Sequence, residues 1–486
     1  MRPGLVAVLA LALAGCVLRA PIPPPRDPLA ATPPDALPPP PTETWPDEPL
    51  QLRLTRHQLQ NGFRIVIARG EPNGIASVAF VSRATPRWDE RAPQAVTSWM
   101  SQMIFRATRT DDGVVDDLLT REGFSPQIDA GALGLLVHER MPREELPRYL
   151  RALDQVLRQP ELRPEDLARR VEAHADRVET ELVGSSGLLD DRAPSLLYDP
   201  ADVRAQGMGD RLEVIQRLDV AALRARHADL LDPSRSTIVL TGDVDPRVVL
   251  PFLGRLFGAW PAHASTPSIA PPRYREAGGP RGRIVVRPAL RAYLRLVERA
   301  PPFTHSDYAA FLVLEQILGG MFASRLNLSV REGSGASYGF HAAYGATATE
   351  GAIEMETSID PSYTRSVLDA MLAEVRRVRG EDGGVQPAEL ALAQTRAREM
   401  LLAQVDSSAG LAIAIARRVQ VDQEPGAFGD VLRQIDVLDA PAVEAAARAW
   451  LRPDQAPLLM VVRPEHLDGV LGAGLGSFEV VTIRSE

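Results

Sequence analysis

The sequence predicts an α+β protein built as two similar domains, and three observations carry that prediction. Strand-like and helix-like segments alternate along the chain instead of separating into blocks. The same order of elements, ending each time in a strand, a turn and an amphipathic helix, occurs twice at a spacing of roughly 220 residues, too long for a solenoid repeat. Between the two copies, residues 263–282 are rich in Pro, Gly, Ala and Arg and read as a linker. A chain of 486 residues is also too long for one ordinary domain. The domains are therefore placed at 51–262 and 283–486.

The first copy opens with "RHQLQNGFRIVIARG", a strand, an Asn-Gly turn and a second strand with alternating apolar residues. "IASVAFVSRA" continues as a strand. Helical patterns follow over 94–106, 113–122 and 143–158, then a long charged helix over 163–183. "STIVLTGDVDPRVVLPFLGRLFGAWP" closes the copy as strand, turn and amphipathic helix. The second copy has strands in "GRIVVRPAL", "RAYLRLVERA" and "GAIEMETSID". Its helices are expected over 306–332, 363–378, 387–406 and 437–450, and "QAPLLMVVRPEHLDGVL" repeats the strand-turn-helix ending.

The net charge is −9, and all 54 basic residues are arginine. No contiguous arginine cluster is present, which argues against a nucleic-acid surface. "MRPGLVAVLALALAGC" has one basic residue, a short apolar run and small residues before Cys16, the shape of a signal peptide. The run is too short to span a membrane comfortably. The "LAGC" ending of this 1–16 leader resembles the bacterial lipobox, which implies that the leader is cut before Cys16 and that Cys16 becomes the lipidated first residue of an exported protein. An ordinary secretory peptide with an incidental cysteine is the alternative. Val17 after the cysteine favours the outer membrane, facing the periplasm, by resemblance to enteric lipoproteins. Residues 17–50 hold 13 prolines and read as a stiff polyproline tether, reaching up to roughly 100 Å if fully extended.

From residue 52 onward the chain resembles the pitrilysin/insulinase family of zinc metallopeptidases, which includes the mitochondrial processing peptidase. The matching pieces are "LQNGFRIVIARG", "IFRAT", "LTGDVDP...LFGAWP" and "SRLNLSVREGSGASYGF", in that order. The resemblance implies antiparallel sheets covered by helices and a clamshell half. It also implies an H-x-x-E-H helix, whose two histidines grip one zinc while the glutamate acts as general base. In "AVTSWMSQMIFRAT" those positions hold Ser98, Ser101 and Gln102, none of them a useful zinc ligand or base. Glu172 and Glu179 fall where the family places its second-shell and ligand glutamates; a solvated acidic helix face is the other reading. No two of the eight histidines lie within one helical turn, and the single cysteine offers no paired-cysteine motif. No metal is therefore expected in this chain.

"SVREGSGASYGF" sets Arg331 and Tyr338 seven residues apart. The resemblance implies that this pair reaches the substrate held at the zinc. A guanidinium can fork onto a peptide carbonyl, and a phenol can donate to the oxyanion forming at the scissile bond. The alternative is that Arg331 pairs with Glu332 or another acid and Tyr338 packs as a strand residue. A broken zinc motif beside a retained Arg/Tyr pair fits the non-zinc subunit of a heterodimeric peptidase. It would be inactive alone and would handle peptides with a homologous subunit that bears the zinc motif and the zinc. A peptide-binding or scaffold lipoprotein without a partner is the runner-up. A serine hydrolase using Ser98 or Ser101 lacks a G-x-S-x-G elbow and a placeable histidine.

Overall fold

The computed structural model describes Thr42–Thr44 and most of the chain from residue 53 to residue 483. Residues 1–41, 45–52, 84–92, 108, 111–112, 115–122, 132, 159, 161, 262–271, 276–278, 333–336, 382, 422, 425–427, 473 and 484–486 lie outside the described residues. The leader with Cys16, most of the tether and much of the linker therefore lie outside them, as does the greater part of the helix expected over 113–122.

The first sheet is built from β1 (Thr42–Thr44), β2 (Arg53–Gln58), β3 (Arg64–Arg69), β4 (Ile75–Arg83), β7 (Gln127–Gly131), β8 (Gly134–Pro142) and β9 (Ser236–Gly242), in the order β1-β2-β3-β9-β4-β8-β7. β1 falls inside the stretch read as a tether. Thr42, Glu43 and Thr44 lie between Pro41 and Pro46, so their backbone is free to pair at a sheet edge. Two further short strands, β5 (Arg109–Thr110) and β6 (Gly113–Val114), pair with each other, so the expected helix over 113–122 begins as a strand.

The Asn-Gly turn between β2 and β3 does more than reverse the chain. Gly62 has φ +90°, a left-handed conformation that favours glycine. The Asn61 amide donates to the carbonyls of Phe257 (2.8 Å) and Trp260 (3.1 Å). It thereby pins the hairpin to the end of "LFGAWP", where Phe63 and Phe257 stack with centroids 4.7 Å apart.

Helices α1 (Pro93–Ala107), α2 (Leu146–Arg158), α3 (Pro164–Val183), α4 (Ser185–Arg192), α5 (Pro194–Leu197), α6 (Met208–Ile215), α7 (Val220–Leu230) and α8 (Pro246–Phe257) complete the first half. α1, α2 and α8 bury residues against the β3, β4 and β8 side chains of one sheet face. The expectation of antiparallel sheets needs one refinement. Most pairs are antiparallel, but β9 runs parallel to β3 after its helical crossover while remaining antiparallel to β4.

The second sheet comprises β10 (Gly282–Val286), β11 (Ala292–Ala300), β12 (Ser337–Ala346), β13 (Gly351–Ile359), β14 (Leu458–Val462) and β15 (Phe478–Thr482), in the order β12-β13-β11-β14-β10-β15. β10 is parallel to both β14 and β15, and the other pairs are antiparallel. Its helices are α9 (Tyr308–Glu315), α10 (Thr364–Val378), α11 (Pro387–Ala403), α12 (Ser408–Gln420), α13 (Phe428–Val437), α14 (Ala440–Trp450) and α15 (Leu467–Leu471). The single helix expected over 306–332 is broken. α9 passes into a π-helical turn at Gln316–Gly320, and a second π-helical turn forms at Asn327–Glu332. A Cβ on Gly319 would stand 2.7 Å from the Ala342 nitrogen, so glycine is what allows this turn to approach β12.

The two halves exchange helices. α12, from the second half, lays Ala412, Ile415, Ala416 and Val419 on the outer face of the first sheet, against Val66, Ala79, Val81 and Val239. α4 and α5, from the first half, lay Leu189, Ala193, Leu196 and Leu197 on Val285, Val297, Leu459 and Val461 of the second sheet. Each sheet is thus covered on both faces. No single described helix is long and apolar enough to cross a membrane. The bent pair α11–α12 passes on length and composition, but the apolar side of α12 is packed on the first sheet.

Candidate functional site

α1 forms because its apolar residues recur at helical spacing. Trp99, Met100, Met103 and Ile104 are all at most 3% exposed, and they press the helix on the first core. Of the two serines, Ser98 is half-buried and Ser101 is buried. The Ser101 hydroxyl donates to the Thr97 carbonyl, one turn back, at 2.8 Å. This is the back-bond typical of a serine inside a helix, and it ties up the only proton the group has. The Gln102 side chain lies outside the described residues.

α3 meets α1 through a different residue from those expected. The His174 ring lies 4.9 Å from the Trp99 ring, tilted by 51°. Burial pushes the His174 imidazole below its ordinary range, and Arg177 beside it adds to the effect. Glu172 and Glu179, seven residues apart, share one face of α3, roughly opposite the face that carries His174 and Val178. Both glutamates are exposed. The structure therefore does not gather them with Ser98 and Ser101. Among the described residues, no group of three or more His, Cys, Asp or Glu side chains is placed to hold a metal ion. The residues at the motif positions do not fit zinc: one hydroxyl is bonded into its own helix, and the glutamates face away from α1. Among the described residues no hydrogen bond joins Ser98 or Ser101 to a histidine, so no nucleophile–base pair for serine chemistry is present.

In the second half, the backbone brings Arg331 and Tyr338 to adjoining elements, one on the π-helical turn Asn327–Glu332 and the other on β12. Their side chains lie outside the described residues. What holds the two elements together is Asn327, which is 6% exposed. Its amide nitrogen donates to the carbonyls of Phe340 (3.0 Å) and Met321 (3.2 Å), and its Oδ1 accepts from the Phe340 N–H (2.8 Å). Arg325, two residues earlier, is tied to Glu389 and to the Gly384 carbonyl of the α11 approach. The "SRLN" segment is thus a fastener for the turn, a role that its sequence neighbourhood alone does not state.

Tyr338 sits where β12 slips register. Ser337 pairs with Ile359 and Phe340 with Thr357, leaving Tyr338 and Gly339 in a bulge. The bulge is fixed by hydroxyls: Ser337 Oγ lies 2.8 Å from Thr357 Oγ1 and accepts from the Gly339 N–H at 3.1 Å. Bulges re-aim a side chain out of a strand's alternation, and π-helical turns recur at functional sites. Two such irregularities fastened together around Arg331 and Tyr338 single out this corner of the second sheet. β12 is also an edge strand, so this corner stands at an open sheet edge.

Comparison with known proteins places the fold. Residues 217–397 match the family model of the peptidase M16 inactive domain. A protease from Helicobacter pylori superposes with a TM-score of 0.75 at 13% identity, covering 85% of this chain and 99% of its own. A peptidase M16 inactive domain from Pseudomonas fluorescens gives 0.73 at 19% identity, covering 85% and 98%. A putative M16-like peptidase from Alicyclobacillus acidocaldarius gives 0.70 at 15% identity, covering 85% and 99%. At these identities the likeness is one of fold. No curated protein sequence matches this chain.

Proposed function

We propose that this chain, which matches a peptidase M16 inactive domain over residues 217–397 and shares the fold of M16-like peptidases, is a pitrilysin-type protein without the zinc motif and the substrate-binding subunit of a two-chain metallopeptidase. The partner is a homologous subunit bearing H-x-x-E-H and its zinc. One contrast supports the reading. The motif helix α1 is preserved as packing, with Ser101 bonded to Thr97, whereas the Arg331/Tyr338 corner keeps a fastened turn and bulge that packing alone does not require.

In this reading Arg331 forks onto a carbonyl of a bound peptide and Tyr338 donates to the oxyanion that forms at the scissile bond, while the partner supplies the hydrolytic water. Cys16 carries a lipid that anchors the chain in the bacterial envelope, with residues 17–50 as spacer and the domains facing the periplasm. Labelling with radioactive palmitate, abolished by Cys16→Ser, tests the anchor; an unlabelled chain removes it.

The deciding experiment measures peptide hydrolysis by the chain from residue 17 onward, alone and mixed with the zinc-motif homologue of the same organism. Silence alone, activity in the mixture and a loss of about 100-fold with Tyr338→Phe would bear the proposal out. Activity in the mixture that is indifferent to both Tyr338→Phe and Arg331→Ala would leave a scaffold that binds peptides without taking part in hydrolysis.

A further inference from the structure

A cavity of about 670 Å³ opens beside the far end of β11, lined by five separate segments of the chain. Four of its lining residues are arginines: Arg275, Arg281, Arg299 and Arg452. Arg281 is held rigidly, its guanidinium donating to the carbonyls of Ala456 (3.1 Å), Leu475 (3.0 Å) and Pro453. Those acceptors fix its position without neutralising its charge. Arg299 lies 3.5 Å above the Tyr274 ring. Among the described residues, the guanidinium groups of Arg281, Arg299 and Arg452 have no carboxylate within ion-pair distance.

Two carboxylates, Glu298 and Asp454, line the cavity beside the four arginines, and both act on Arg281. Asp454 is engaged by Arg376 at 2.6 Å. Glu298 is 4% exposed and accepts the Arg452 backbone N–H at 2.8 Å. Four arginines set against two carboxylates around a cavity of ligand size leave an excess of positive charge, which suits an oxyanion because the guanidinium fork fits carboxylate and phosphate geometry.

We propose that this cavity binds a small ligand through a phosphate or carboxylate group, gripped by Arg299 and Arg452, with Arg281 held in the same lining. It is a separate place from the Arg331/Tyr338 corner. Ser337 pairs with Ile359 and thence with Ala292, at the start of β11. Glu298 lies six residues farther along that strand, about 20 Å away at 3.3 Å per residue. The proposal stands or falls without the peptidase reading.

The test is calorimetric titration of the chain from residue 17 onward, in low salt, with inorganic phosphate, with acetyl-dialanine bearing a free carboxylate and with its C-terminal amide. Saturable binding of phosphate or of the free acid, with the amide silent, is expected. Arg299→Gln with Arg452→Gln should weaken it at least about tenfold, while Arg396→Gln, on the exposed face of α11, leaves it unchanged. Phosphate alone identifies a phosphorylated ligand, and the free acid alone identifies a carboxylate terminus. No saturation by either up to about 10 mM, or an equal loss with Arg396→Gln, overturns the proposal.

Discussion

Two buried polar side chains show how much single residues decide here. Asn327 satisfies both edges of the Phe340 backbone at once, so its removal leaves a buried N–H and a buried carbonyl without partners. Asn327→Ala should cost about 2–3 kcal/mol in urea unfolding, whereas Ser101→Ala, which frees only a helical carbonyl that is already bonded in the helix, should stay within about 1 kcal/mol. Glu298 behaves differently, since burial pushes its carboxyl up to about 8. Between the ordinary carboxylate range and that value, the folded state holds a proton that the unfolded state has released. Stability therefore falls as pH rises through this window. Glu298→Gln keeps an acceptor for the Arg452 N–H and should remove the effect. Thermal melts at pH 6 and pH 8.5 are expected to show the wild type losing on the order of 3 kcal/mol between them and the variant losing much less.

At the scale of elements, the motif helix and the helix exchange differ in how far a sequence reveals them. α1 was legible because its apolar residues repeat at helical spacing and the motif offsets fall on one face. The edges of β3, β4, β9 and β11 were legible for the same local reason. The orientation of α3 was not, because the side that meets α1 is chosen by His174 and Trp99 packing across more than 70 residues. The strands β7 and β8 and the helices α4, α5 and α12 were not singled out. "SAGLAIAIARRVQ" is apolar on most sides, and nothing local says that it covers the other half's sheet. Its seat is nevertheless specific: Ser408 Oγ lies 2.9 Å from Ser77 Oγ, and the Ser408 carbonyl accepts from Thr241. Ile415→Ala should therefore cost about 2–4 kcal/mol although it lies outside both main cores. Gly242 has φ +92°, and a Cβ there would meet the Ile75 carbonyl at 2.4 Å and Ser408 Cβ at 3.4 Å. Gly242→Ala is expected to destabilise by about 2 kcal/mol or more, and denaturant melts of the two variants check both figures.

At the scale of the whole molecule, the exchange makes the two domains read from the sequence into one cooperative unit. The first sheet without α12 would expose Val66, Ala79, Val81 and Val239, and the second without α4 and α5 would expose Val285, Val297, Leu459 and Val461. Polar links add direction to this apolar contact. Arg295 on β11 reaches Asp190 of α4 at 2.7 Å, and Arg204 reaches Glu350 at 3.0 Å. Both arginines are buried, and each is also held inside its own half, Arg295 by Glu356 and Arg204 by Asp202, so each cross-half link is one branch of a shared ion-pair network. A cut in the linker should then do little harm, because the linker connects halves that already hold each other. The sharpest expectation concerns fragments 17–265 and 270–486. Expressed separately, each should aggregate or bind a hydrophobic dye such as ANS; expressed together, they should copurify and melt in one transition. Two fragments that each fold alone and melt independently would show that the exchanged helices are accessories, and that the linker is what holds the molecule together.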